Sequence, residues 1–197
     1  MTGSRRLSQA ISEGDGISLL VPVRDGEQAG VAETDGADAV VLESTVAAIR
    51  EATTLPVVYR AWAAHPDPRE AIAAGADGYI VSVAAVGEER LRNLYVEALS
   101  LGLEPVLAVS DEEELEIALE YVDPEIFLLT ASGHDGEEQL ESVLDLLPDV
   151  PAGKLAIAEI PVGAPEIVGA LERAGVDGVI VAADHLPHLG GDEPPEV

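Results

Sequence analysis

A glycine followed two residues later by an aspartate, and then at once by an apolar run, recurs along this chain. "GADAVVL" begins at Gly36, "GADGYIV" at Gly75 and "GVDGVIV" at Gly175, and "YVDPEIFLL" from Tyr121 is a weaker fourth copy. A glycine in this context ends a helix in a left-handed turn, and the strand follows directly. The apolar runs are Ile17–Val23, Ala39–Leu42, Leu55–Tyr59, Gly78–Val83, Glu104–Val109, Ile126–Leu129, Lys154–Ile160 and Gly178–Ala182. They are short and rich in β-branched residues, as parallel strands covered on both faces should be. The repeat copies precede the second, fourth, sixth and eighth runs, so the period is two strand–helix units of about 40 to 55 residues.

Helical patterns separate most of the runs, including Glu88–Leu101, Asp111–Tyr121, Glu137–Leu147 and Pro165–Ala174. Strand and helix alternating eight times with a four-fold repeat predicts a single (β/α)8 barrel, the TIM-barrel fold, over residues 1–197. An open doubly wound sheet is the competitor. It usually carries a glycine-rich phosphate loop after a strand, and neither G-x-G-x-x-G nor a Walker loop is present. A barrel near the lower size limit of about 200 residues has short connections and a shallow mouth. Residues 1–15 read as one short helix and residues 187–197 as a disordered tail.

Composition narrows the function. Apolar residues make up 47% of the chain and aromatics only 3%, so the core is built from Val, Leu, Ile and Ala. The 38 acidic against 10 basic residues give a net charge of -28, which argues against nucleic-acid and anionic-membrane partners. No cysteine is present. No apolar run approaches the roughly eighteen residues of a membrane helix, and nothing after Arg5 and Arg6 resembles a signal peptide, so a cytoplasmic protein is expected. Its quaternary state is expected to be a monomer or weak homodimer.

On such a barrel the chemistry sits at the C-terminal strand ends. Those ends offer Arg24, Glu43, Arg60, Trp62, Ser82, Ser110, Thr130, Ser132, His134, Glu159 and Asp184. Arg60 and Glu159 are the candidate catalytic pair. An inward guanidinium needs a carboxylate partner or an anionic ligand, so the two residues are either a structural ion pair across the mouth or an anion-binding arginine beside a general acid or base. Trp62 either stacks on a ligand or covers the rim. Arg24, Ser132 and Glu43 complete the candidate substrate contacts. His185 and His188 have a spacing that metal sites use, but the surrounding proline and glycines favour a solvated segment, and no metal site is assigned. The run "DEEELE" reads as a solvated helix N-terminus that complements its own dipole.

Three stretches, "LGLEPVLAVSDEEELEIAL", "AIAAGADGYIVSVAAVGEERLRNLYVEALSLGLE" and "LAIAEIPVGAPEIVGALERAGVDGVIVAADHL", resemble indole-3-glycerol phosphate synthase, a tryptophan-pathway barrel. The resemblance runs from about Gly16 to Leu186. It implies a carbon–carbon lyase that closes an indole ring on a carboxyphenylamino deoxyribulose phosphate, with no cofactor. It also implies a lysine general acid, assisting glutamates, and a phosphate site on the seventh and eighth strand loops, which fall here at Gly163 and Ala183. Several family positions carry other residues. The general-acid lysine aligns with Arg60, and the Glu-Val-His of the fifth strand aligns with Ala108-Val109-Ser110. The first strand's Glu-Ile-Lys aligns with Val21-Pro22-Val23, followed by Arg24. The sixth strand's Asn-x-Arg-Asp aligns with Thr130-Ala131-Ser132-Gly133, and the last strand's Gly-Ser with Ala182-Ala183. Only Glu159 of the seventh-strand motif matches, and the family's N-terminal extension is mostly missing. The sole lysine, Lys154, opens the seventh strand and so belongs at the far end of the barrel.

The expectation is a synthase-like barrel with little or no synthase activity. One alternative is an enzyme or binder for another small phosphate or carboxylate ligand, using Arg60 and Glu159. The other is a non-catalytic interaction protein.

Overall fold

The computed structural model describes residues 5–14, 16–46, 48–61, 66–131, 136–160 and 164–189. Eight parallel strands close into one ring in sequence order: β1 (Ser18–Val23), β2 (Ala39–Leu42), β3 (Val57–Arg60), β4 (Gly78–Ser82), β5 (Glu104–Val109), β6 (Ile126–Thr130), β7 (Leu155–Glu159) and β8 (Gly178–Ile180). The ring is sealed by β1 against β8, with Leu20 beside Ile180. The helices are α1 (Arg6–Ser12), α2 (Gly26–Thr34), α3 (Ile49–Ala52), α4 (Pro68–Ala73), α5 (Glu88–Ser100), α6 (Glu112–Tyr121), α7 (Gly136–Leu146), α8 (Pro165–Ala174) and α9 (Leu186–Leu189).

Alternation along each strand makes two cores. Leu20, Val41, Val58, Val106, Ile126 and Ile157 fill the barrel interior. Their neighbours Val21, Val40, Tyr59, Leu107, Phe127 and Ala158 point outward under the helices. The bottom of the barrel is closed by α1, whose Leu7 and Ile11, one turn apart, enter the interior layer. Burying each of these side chains is worth about 1.5–3 kcal/mol. Arg5 offers α1 no side-chain cap. Glu104 on β5 replaces it, accepting the Leu7 N–H at 2.7 Å and the Ser8 N–H at 3.0 Å.

The repeat has a structural cause. Each aspartate bonds the strand before its own. Asp38 accepts the Leu19 N–H at 2.8 Å, Asp77 the Val57 N–H at 2.9 Å and Asp177 the Ala156 N–H at 2.8 Å. Each donates its own N–H back to the carbonyl of that same residue. The carboxylate therefore pins an even-numbered strand to its odd-numbered neighbour. In the weak fourth copy Asp123 adopts the left-handed turn at φ 49°, where the other copies have glycine. Glu125 stands at the aspartate position and instead pairs with Arg5 at 2.7 Å on the surface.

The C-terminal expectation needs correction. Pro187, His188 and Leu189 belong to α9 rather than to a disordered tail, because Leu186 is buried and anchors that turn. Residues 190–197 lie outside the described residues.

Candidate functional site

Arg60 ends β3 and Glu159 ends β7, and both follow the inward alternation of their strands. Counted either way round, these strands lie four apart in the ring and so face each other. The long Arg60 side chain spans the gap, and its Nη1 lies 2.7 Å from Glu159 Oε1. Arg60 is 8% exposed and Glu159 27%, so the pair is largely removed from water. It forms a crossbar over the barrel mouth.

On the β4–β6 side of this bar lies a cavity of about 310 Å³. Ile80, Ala108 and Leu128, the top of the interior layer, form its apolar floor, with Ala61 and Ala84 beside them. Ser82, Ser110 and Thr130 bring hydroxyls to its rim. The Thr130 hydroxyl is already committed, donating to the Val109 carbonyl at 3.1 Å. The mouth is therefore not flat. Ala108, with only a methyl side chain, leaves apolar space there.

Glu114 also lines this cavity, a role its acidic run conceals. Asp111 caps α6 by accepting the Glu114 N–H at 2.9 Å, and Glu114 reaches back to accept the Ser110 N–H at 2.8 Å. This variant of the capping box, closed on the residue before the N-cap, turns Glu114 toward the mouth, so the run is not uniformly solvated. The spacing of Asp111 and Glu114 is the sequence signal for it. The same device opens α2, where Asp25 accepts the Gln28 N–H at 2.8 Å and Gln28 accepts the Arg24 N–H at 3.0 Å.

The other candidates do not join this site. Arg24, Glu43 and Ala183 are exposed at the ends of β1, β2 and β8, on the other side of the bar. Trp62, Ser132, His134 and Gly163 lie outside the described residues. His185 is half-buried, and its Nδ1 makes no hydrogen bond among the described residues. No group of three or more potential metal-ligating side chains occurs among the described residues. Lys154 lies at the opposite end of the barrel, paired with Asp123 at 2.7 Å. No helix among the described residues is long and apolar enough to cross a membrane.

A closed ring of eight parallel strands, with its polar groups gathered at the C-terminal strand ends, defines a (β/α)8 barrel. An N-acetylmannosamine-6-phosphate 2-epimerase from Clostridium perfringens shares this fold, with a TM-score of 0.67 and 16% identity over 84% of this chain and 86% of that one. The family profile described as indole-3-glycerol phosphate synthase matches residues 42–186. An indole-3-glycerol phosphate synthase from Acidithiobacillus ferrooxidans is 34% identical over 154 residues, which cover 73% of this chain and 59% of that protein. One from Bordetella pertussis is 33% identical over 135 residues, covering 67% of this chain and 51% of that protein. The chain belongs to the indole-3-glycerol phosphate synthase family. It spans between half and three fifths of the length of these relatives.

Proposed function

We propose that this chain is a synthase-family barrel with little or no ring-closing activity. The observation that carries this reading is the Arg60–Glu159 pair. The family resemblance puts a general-acid lysine at position 60. A guanidinium holds its proton throughout the neutral range and is a poor donor to a substrate. Glu159, the family glutamate retained here, is engaged by that guanidinium at 2.7 Å. Removing a general acid typically costs a factor of about a hundred to ten thousand. The missing fifth-strand glutamate, replaced by Ala108, adds to that loss.

The test is turnover of the carboxyphenylamino deoxyribulose phosphate, followed optically through the indole product, in low and in molar salt. No turnover above the no-protein control is expected from a cooperatively folded sample. Turnover that disappears in Glu159→Ala would overturn the proposal.

A second reading is favoured by the cavity itself: the site binds a small phosphorylated or carboxylate ligand through Arg60. A buried guanidinium at the edge of an apolar floor is a common means of orienting such a group. A melting temperature raised by phosphate or carboxylate ligands, with the rise lost in Arg60→Ala, supports this reading. Melting curves unmoved by every such ligand count against it.

A further inference from the structure

The charges around the mouth cavity narrow its ligand further than "anionic". Among the described lining residues Arg60 is the only cation, against two carboxylate residues, Glu159 and Glu114. Glu159 already lies 2.7 Å from the guanidinium, and the whole chain carries a net charge of -28. A phosphate dianion entering this cavity meets a surplus of negative charge at short range, in a partly dehydrated site where such repulsion is strong. The N-terminus of α6 borders the cavity at Ser110 and Glu114, but the carboxylates of Asp111 and Glu114 already occupy it. A ligand carrying both charges meets no such penalty. Its carboxylate faces Arg60, its ammonium faces Glu159 or Glu114, and its carbon body covers Ile80, Ala108 and Leu128.

We propose that the mouth cavity of about 310 Å³ takes a zwitterion, an amino-carboxylate with a short apolar body, held between Arg60 and the carboxylates of Glu159 and Glu114. This rests on the reading that Arg60 orients a small acid at the mouth, and it names the class of that acid. The Ser82 and Ser110 hydroxyls, at the rim, supply further polar contacts to the charged end of the ligand. The apolar floor selects against free glycine and for a branched or unbranched aliphatic side chain.

The experiment is calorimetric titration of the full chain at fixed ionic strength with four matched probes. They are L-leucine, 4-methylpentanoate (leucine without its amine), 3-methylbutylamine (leucine without its carboxylate) and inorganic phosphate. Alanine and phenylalanine vary the apolar body. Leucine or another member of the zwitterion series is expected to bind, and deleting either charged group is expected to weaken it by about tenfold or more. Glu159→Gln is expected to weaken the zwitterion and to tighten 4-methylpentanoate, because the cavity loses a negative charge. Glu114→Gln, which keeps the capping geometry, is expected to move the preference in the same direction and serves if Glu159→Gln folds poorly. Binding of 4-methylpentanoate or phosphate as tight as that of any zwitterion would overturn this proposal and leave the small-anion reading standing. Absence of binding by every probe would overturn both.

Discussion

Arg60 Nη1 lies 2.7 Å from Glu159 Oε1, and the strands that carry them face each other across the barrel. Two residues 99 positions apart in the chain thus meet over the interior layer, and the bond fixes where the mouth cavity begins. The energetics of such a pair are asymmetric. Breaking it leaves a charge stranded, whereas replacing both partners removes the desolvation cost along with the attraction.

Glu159→Ala is therefore expected to lower stability by about 2–3 kcal/mol, with the partial exposure of Glu159 keeping the loss below that of a fully buried pair. Arg60→Met combined with Glu159→Leu is expected to lie within about 1 kcal/mol of the parent. Urea unfolding of the single and double variants at one salt concentration measures the difference. A double variant as destabilised as Glu159→Ala would remove the stranded-charge account.

The repeat aspartates are expected to matter unequally. Asp177→Ala removes an acceptor from the Ala156 N–H and should cost about 1–3 kcal/mol. Asp77→Ala should cost more, because Asp77 also pairs with Arg6 and Arg50 beside the end of α1. Glu125→Ala, at the same position in the fourth copy, should change stability by no more than about 0.5 kcal/mol, since its partner Arg5 is a surface residue. Thermal melting of the three variants ranks them. A loss in Glu125→Ala equal to that in Asp177→Ala would remove the strand-pinning account.

These particulars explain what the sequence discloses. Every strand was legible, because a doubly buried parallel strand must be an unbroken apolar run, and the repeat marks where the second strand of each pair begins. The third run read as Leu55–Tyr59, yet β3 is Val57–Arg60, after Pro56, which has no N–H for a ladder. Among the helices that join successive strands, three were not legible individually. The buried face of α2 is only Ala29 and Ala32, and α3 and α4 have four and six residues, too few for a helical period to show. Their places at strand ends single out Arg60 and Glu159, but their contact is a property of the closed ring. Glu114 was hidden because composition marks its run as solvent-facing, whereas the capping box turns that one carboxylate inward.

Gly78 makes room for the plug at the barrel floor. A Cβ placed there would stand 2.7 Å from Leu7 Cδ2. Gly78→Ala is expected to destabilise by about 1–3 kcal/mol through overpacking. Leu7→Ala alone should cost about 2–5 kcal/mol by leaving a cavity. In the double variant the added methyl enters space that Leu7 vacates, so the combined loss should fall well short of the sum of the two. Additive losses by urea unfolding would mean that the two residues do not share that space.

Tyr79 is expected to make the fold lose stability at alkaline pH. Its ring stacks on Tyr59 with centroids 6.5 Å apart, and its hydroxyl is buried without a hydrogen-bond partner among the described residues. Burial above all, and then the negative charges of Asp67 and Glu70, push its pKa well above that of free tyrosine. The folded protein therefore keeps a proton that the unfolded chain releases near pH 10. Between that pH and the raised folded value the native state binds more protons than the unfolded state, so stability falls as pH rises, by at most about 1.4 kcal/mol per pH unit from this group. Below pH 10 the contribution is constant. Tyr79→Phe removes both the buried hydroxyl and its titration. At pH 7 the variant is expected to match the parent or exceed it by up to about 1 kcal/mol. From pH 10 to 11 its advantage should grow, although Tyr59 and Tyr95, also shifted upward by burial, preserve part of the decline. Urea midpoints measured from pH 7 to 11 decide the matter, and parallel curves for parent and variant would show that Tyr79 does not carry the alkaline loss.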